Sequence, residues 1–215
     1  MSKVGKIGII ADIHGFLRNL ESGIRMLEKE GVDRILHLGD VADELHSGEE
    51  VIKLLMQKNI QGVKGGHDDI EAIDPMHPLS DASLDYLSSL PKEMHLTPEV
   101  MLVHDNPIEP LLSRKPFVIG SYIRNIKDAE RVFEKCKERI FLVGHTHEPF
   151  AFSNKGDEIT FKCSKIIELD PSKRYILNPG SIGTPRDSDY FSFGIYDHEN
   201  QLFKVLRFGY KKDKV

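Results

Sequence analysis

Residues 6–40 read KIGIIADIHGFLRNLESGIRMLEKEGVDRILHLGD. A short apolar run at 7–11 ends on Asp12, and a second at 35–38 ends on Gly39-Asp40. Between them Leu20, Ile24 and Leu27 recur at spacings of four and three, the signature of one helix face. Strand, helix, strand in this order is a βαβ unit and predicts a parallel sheet. The unit continues outward. SGEEVIKLLMQKN predicts a second helix, with Ser47 and Glu50 at capping-box spacing ahead of Val51, Leu54 and Leu55. IQGVKGG then predicts a third strand.

Further along, Pro75, Pro78 and Pro91 surround a short predicted helix at 81–90, and VMLV at 100–103 reads as a buried strand. A helix is expected at 127–139 and a strand at 140–143 that ends on Gly144. From Phe150 the pattern changes: AFSNKGDEITFKC predicts a hairpin turning at 154–157, with strands near Ile166, Tyr175, Phe193 and Leu202. The C-terminal half is thus expected to be mainly antiparallel, and KKDKV a solvated tail. No internal repeat and no Pro/Gly/Ser-rich linker interrupts the chain. A length of 215 residues predicts a single domain over 1–215.

Hydrophobic residues make up 40% and charged residues 29%, with a net charge of -5. Such a chain offers no field for non-specific nucleic-acid binding, so an anionic substrate needs a local positive centre. The apolar run at 7–11 is far shorter than a membrane span, and the N-terminus lacks a secretory pattern. The two cysteines, Cys136 and Cys163, have no C-x-x-C spacing. A cytoplasmic protein without membrane contact is expected; homo-oligomerisation is left open.

Titratable residues fall where strands end. Asp12 and His14 follow the first strand, Asp40 the second, His67 the third, His104 the strand at 100–103, and His145 and His147 the strand at 140–143. Five of the ten histidines lie at these positions. In open α/β sheets that edge is where ligands bind. Neutral imidazoles with carboxylates suit divalent Mn, Fe, Ni, Co or Zn. Asp12, His14, Asp40, His104, His145 and His147 are six groups, more than one tetrahedral ion takes. Two ions sharing a carboxylate use them all, and a metal pair about 3.5–4 Å apart clamps in-line displacement at phosphorus.

Asp12-x-His14, Gly39-Asp40, Gly65-x-His67-Asp68, His104 and Gly144-His145-Thr146-His147, in this order, resemble the calcineurin-like metallophosphoesterase superfamily, in particular its small bacterial and archaeal phosphodiesterases. Asn178-Pro179-Gly180-Ser181 resembles a loop that many small members carry. Each piece is common by chance; five in order are specific. The resemblance implies a four-layer α/β/β/α sandwich of two mixed β-sheets flanked by helices. It implies that Asp12, His14 and His147 hold one metal, that Asp40 bridges, and that His104 and His145 hold the second. It further implies that His67 is the proton donor, with Asp68 orienting it, and that a hydroxide between the metals attacks a small or nucleotide-like phosphoester.

The chain departs from the family pattern at Gly66, where an asparagine normally donates to the second metal. The second site is therefore expected to be the weaker, unless Asp105, Asp43 or Asp69 substitutes. Asp105 stands where glycine is usual, and Phe16 where asparagine is common. Ordinary readings compete with these roles. Asp12 and Asp40 could cap the following segments, and His67 with Asp68 could be a solvated loop pair. His37, inside a strand, reads as a hydrogen-bonded sheet histidine, and Asn178 and Ser181 as loop-shaping residues. Arg186 is a candidate phosphate ligand weighed evenly against plain surface. Two rivals to the enzyme remain, both prompted by Gly66: a scaffold of this fold with weak metal occupancy, and a metal-binding module without turnover.

Overall fold

In a computed structural model the first apolar run forms strand β1 (Lys6–Ile10), and β2 (Arg34–His37) pairs with it in parallel, Ile7 opposite Arg34 and Ile10 opposite His37. The structure describes residues 4–42, 48–69, 79–108, 122–186 and 189–209. Ser47 and Asp43 lie outside them, as do Pro75, Pro78 and the KKDKV tail. Between the two strands runs α1 (Leu17–Lys29), which buries Leu20, Gly23, Ile24 and Leu27. Helix α2 (Glu49–Gln57) buries Val51, Ile52 and Leu55, and β3 (Gln61–Gly62) extends the parallel set. Neither Asp12 nor Asp40 caps a helix: the capping residues are Phe16 and Gly48, without a side-chain bond.

The remaining elements are α3 (Asp81–Ser89), β4 (Glu93–Thr97), β5 (Val100–Val103), α4 (Ile126–Lys135), β6 (Ile140–Leu142), β7 (Pro149–Ser153), β8 (Glu158–Thr160), β9 (Lys165–Glu168), β10 (Tyr175–Pro179), β11 (Phe191–Asp197) and β12 (Leu202–Phe208). Among the described residues twelve strands form two mixed six-stranded sheets, ordered β3-β2-β1-β11-β12-β9 and β4-β5-β6-β10-β7-β8. In the first sheet β11 joins β1 antiparallel; in the second β10 joins β6 parallel.

Alternation along the strands sets the layers, since successive side chains face opposite ways. Ile7, Ile9, Val100, Leu102, Ile140, Leu142, Leu177 and Phe203 meet in one apolar layer between the sheets. Ile10, Phe193 and Ile195 face the other way, against Leu20, Ile24, Leu27, Val51 and Leu55 of α1 and α2. Met101, Val103, Phe141 and Ile176 pack with Ala129 and Val132 of α4. The layers are therefore helix, sheet, sheet, helix. Two details depart from the sequence reading. Helix α4 ends at Lys135 rather than Arg139, because Arg174 caps it, donating to Phe133 O at 2.5 Å, Cys136 O at 2.5 Å and Glu138 O at 2.9 Å. Strand β4 is an additional edge strand, antiparallel to β5.

Candidate metal centre

Both sheets send their strand ends to one place. Asp12 and His14 follow β1, Asp40 follows β2, a short 3-10 turn (Gly66–Asp68) follows β3, His104 follows β5, and His145 and His147 follow β6. Backbone bonds lash the ends together: Ile13 N donates to Asp40 O at 2.8 Å and His14 N to the same oxygen at 2.9 Å. Gly144 N donates to His104 O at 2.8 Å and Ile182 N to Ala11 O at 3.1 Å.

The turns are tight. Asp12, His14, Asp40, His145 and His147 all take positive φ, between 48° and 67°. Left-handed backbone at a residue with a Cβ costs roughly 1–3 kcal/mol, and such residues gather where function requires the geometry. Gly65 allows the closest approach: a Cβ there would lie 2.2 Å from Asp40 N and from Asp40 Oδ1. Gly39, at φ 90°, packs its missing Cβ against Gly65 N.

Two groups of potential ligands result. In the first, Asp12, His14, Asp40 and His147 each place a ligand atom within 4.8 Å of the others; in the second, Asp40, His104 and His145 do so. Asp40 belongs to both. Its Oδ2 lies 3.2 Å from His104 Nε2 and 3.7 Å from His14 Nε2, while its Oδ1 accepts His67 N–H at 3.0 Å. Asp12 Oδ1 accepts His145 N–H at 3.0 Å and lies 3.4 Å from His147 Nε2. Among the described residues neither Asp105 nor Asp69 joins the second group.

The histidine tautomers follow from what lies behind the rings. His104 Nδ1 is 2.6 Å from Leu38 O, and His147 Nδ1 is 2.5 Å from Thr184 O. A carbonyl only accepts, so both Nδ1 atoms carry the proton and both Nε2 lone pairs point inward. His104 Nε2 then faces Asp40 Oδ2 and, at 3.2 Å, His145 Nδ1; His147 Nε2 faces His14 Nε2 at 3.2 Å. Acceptors converging in this way need a cation or an extra proton between them. The donor set and the outward-held Nδ1 protons therefore fit divalent metal ions.

Electrostatics agree with that demand. Burial disfavours charge on Asp40, yet the charge and hydrogen bond of His104, then His14 and His67, hold its carboxyl well below the usual range. Burial likewise opposes a charged His104, but Asp40, then Asp12 and Asp105, pull it up to about 10. Burial and the neighbouring His104 push His145 down to about 3. Burial also lowers His14, against the pull of Asp40 and Asp12.

A sequence profile of the calcineurin-like phosphoesterase superfamily domain matches residues 6–201. The chain belongs to that superfamily. Its fold is the superfamily's α/β sandwich, and membership supports a phosphoester hydrolase that uses divalent metal ions. A crystal structure of a metallophosphoesterase from Sphaerobacter thermophilus superposes with a TM-score of 0.79 at 28% identity, covering 97% of this chain and 89% of that one. An uncharacterised protein of Methanocaldococcus jannaschii is 27% identical over 95% of this chain and 87% of its own. A structure described as a novel archaeal phosphodiesterase has a TM-score of 0.54 at 17% identity, over 94% and 99% of the two chains, and shows the fold alone.

Against the sequence reading of this superfamily site, the structure assembles Asp12, His14, Asp40, His104, His145 and His147. His67 stands beside them, its ring 5.0 Å from that of His14 and edge-on to it. Asp68, expected to orient His67, makes its side-chain hydrogen bonds to backbone. Its buried carboxylate accepts the N–H groups of Asp40 at 2.9 Å, Val41 at 2.7 Å, Ala42 at 3.3 Å and Gly65 at 2.7 Å, and His67's imidazole is not among its partners. Burial and the charge of Asp40 raise its pKa while the Gly65 and Val41 N–H groups lower it. A short loop must bring its backbone amides onto Asp40, and this carboxylate holds them there.

Asn178 and Ser181 brace the floor. Asn178 Nδ2 donates to Gly144 O at 2.6 Å, and Ser181 Oγ donates to Asp12 O at 2.9 Å. His37 is buried, accepting Gly39 N–H on Nδ1 and donating Nε2–H to the Tyr86 hydroxyl at 2.9 Å. Arg186 is exposed and lines a cavity beside Thr146. Sequence reasoning missed Leu38 and Thr184, whose contributions are backbone carbonyls and carry no side-chain signal. It also missed Tyr122, whose ring lies against that of His145 with centroids 4.2 Å apart.

Proposed function

We propose that the chain is a phosphodiesterase acting on small or nucleotide-like phosphoesters, with two divalent ions shared through Asp40. The observation that carries this reading is the position of Asp40 Oδ2, within 3.7 Å of His14 Nε2 on one side and 3.2 Å of His104 Nε2 on the other. Bound ions supply Lewis acidity, acidifying a water nucleophile and neutralising charge on the phosphoryl oxygens. Asp12, His14 and His147 hold the first ion, and His104 and His145 the second. Leu38 and Thr184 keep His104 and His147 in the ligating tautomer. Asp68 fixes the Asp40 backbone and the turn that carries His67. His67, partly exposed beside His14, donates a proton to the leaving oxygen, a contribution of about 10²–10⁴-fold for general acids.

The span of the family match supports reading 1–215 as one metallophosphoesterase domain, and the free Cys136 and Cys163 fit a reducing cytoplasm. Gly66, exposed where the second-metal asparagine is usual, favours one alternative: a scaffold or binding module with weak occupancy. Metal content per chain, with hydrolysis of bis(p-nitrophenyl) phosphate and p-nitrophenyl phosphate under Mn, Fe, Ni, Co or Zn, decides. Two ions per chain and faster diester hydrolysis are expected. No bound ion and no turnover with any metal would overturn the proposal; preference for the monoester would overturn the diesterase assignment alone.

A further inference from the structure

We propose that the cavity beside the loop His145-Thr146-His147 is a subsite for a second phosphate on the substrate, held by Arg124 and Arg186. This rests on the phosphoesterase reading above and narrows its substrate class to phosphoesters carrying an additional phosphate. The cavity, of about 330 Å³, is lined by Ile123, Arg124, Thr146, Glu148, Phe150 and Arg186. Thr146 stands between two of the proposed metal ligands, so the cavity adjoins the reaction site.

Each arginine is tied to a proposed ligand. The Tyr122 ring lies on that of His145 at 4.2 Å with an interplanar angle of 31°, and the Arg124 guanidinium carbon sits 4.1 Å over the Tyr122 ring. This stack holds Arg124 at the cavity wall. Arg186 follows Thr184 by two residues, and Thr184 O accepts the Nδ1 proton of His147.

Among the described residues, neither guanidinium forms an ion pair. The chain as a whole carries a net charge of -5, so two unpaired arginines on one small cavity form a local exception to its field. A planar guanidinium binds phosphate in bidentate fashion, and holding it in place beforehand lowers the entropic cost of doing so. Glu148 on the cavity wall offsets part of the positive charge. Ile123 and Phe150, both buried, form an apolar floor. The volume lies at the low end for small-ligand sites, enough for a phosphorylated sugar.

The test uses two diesters with the same scissile bond: thymidine 5′-(p-nitrophenyl phosphate), and the same compound bearing a 3′-phosphate. The wild type should prefer the 3′-phosphorylated ester in kcat/KM by about tenfold, as charge-assisted contacts of this type allow. Arg124→Gln and Arg186→Gln should each cut that ratio by at least about threefold. In parallel, calorimetric titration of the full chain in chelator compares thymidine 3′,5′-bisphosphate with thymidine 5′-monophosphate, without turnover. The bisphosphate should bind the wild type more tightly and lose that advantage in both variants. Hydrolysis with a ratio unchanged in both variants would overturn the subsite and leave the phosphodiesterase reading intact. No hydrolysis of either ester under any divalent ion would overturn that reading, and the calorimetric preference would then decide the subsite by itself.

Discussion

Asp68 grips Asp40 from behind: its Oδ2 accepts the Asp40 N–H at 2.9 Å while Oδ1 accepts the adjacent Val41 N–H at 2.7 Å. The carboxylate shared between the two ligand groups is thus positioned by a second, buried carboxylate that touches only backbone. Replacing Asp68 with Ala strands four buried N–H donors, each costing about 1–3 kcal/mol when unsatisfied. Asp68→Ala should therefore lose about 3 kcal/mol or more, read as a lower urea midpoint with an unchanged m-value, together with weaker metal binding. A variant of wild-type stability with only a shifted pH–rate profile would instead return Asp68 to orienting His67.

His67→Ala separates general-acid catalysis from binding. Esters with poor alkyl leaving groups should slow by about 10²-fold or more, and activated nitrophenyl esters far less, because a good leaving group needs no proton. Equal losses on both, measured as kcat, would remove the proton-donor role.

Gly66 tests the departure from the family pattern. It occupies an exposed position in the turn directly before His67. Gly66→Asn supplies the amide oxygen usual there, and occupancy of the weaker site should rise, its affinity increasing by about tenfold, the lower range for groups that tune a metal site. Metal titration with elemental analysis reads the change. An unchanged affinity would mean that the second group does not use this position.

His37 predicts a pH dependence of stability. Burial, with the charge of His104, lowers its pKa from 6.5 to about 3 in the folded chain. Below 6.5 the unfolded chain takes up a proton that the folded chain refuses. This residue's contribution is thus complete above pH 6.5 and lost progressively as pH falls toward about 3, with a limiting slope of about 1.4 kcal/mol per pH unit. Denaturation midpoints of wild type and His37→Gln, compared between pH 7 and pH 4, should converge as the pH falls. Parallel curves would show that His37 does not titrate in this window.

Much of this was readable in residue order. The βαβ opening shows in the 3.6-residue spacing of Leu20, Ile24 and Leu27 between two apolar runs, because burial of one helix face imposes that period. The candidate ligands show as well, because a parallel strand ends at one edge of its sheet and Asp12, Asp40, His104 and His145 all sit just past such ends. Strand β4 left a weaker trace. Glu93, His95 and Thr97 alternate with Met94 and Leu96, but an edge strand with only partly covered apolar residues lacks the continuous run that marked β5. The α4 end differs from the expected one because its cap, Arg174, arrives from the distant turn just before β10.

The sequence by itself determined which chemical groups stand at the strand ends; the need for glycine at Gly39 and Gly65 comes from the close approach of their two loops in the fold. Only the tertiary structure decided which atoms face one another. The inward lone pairs of His104 and His147 depend on the carbonyls of Leu38 and Thr184, and Asp68's partners are backbone amides. Every residue type carries these main-chain groups, so their roles become visible only when the fold brings them against particular side chains.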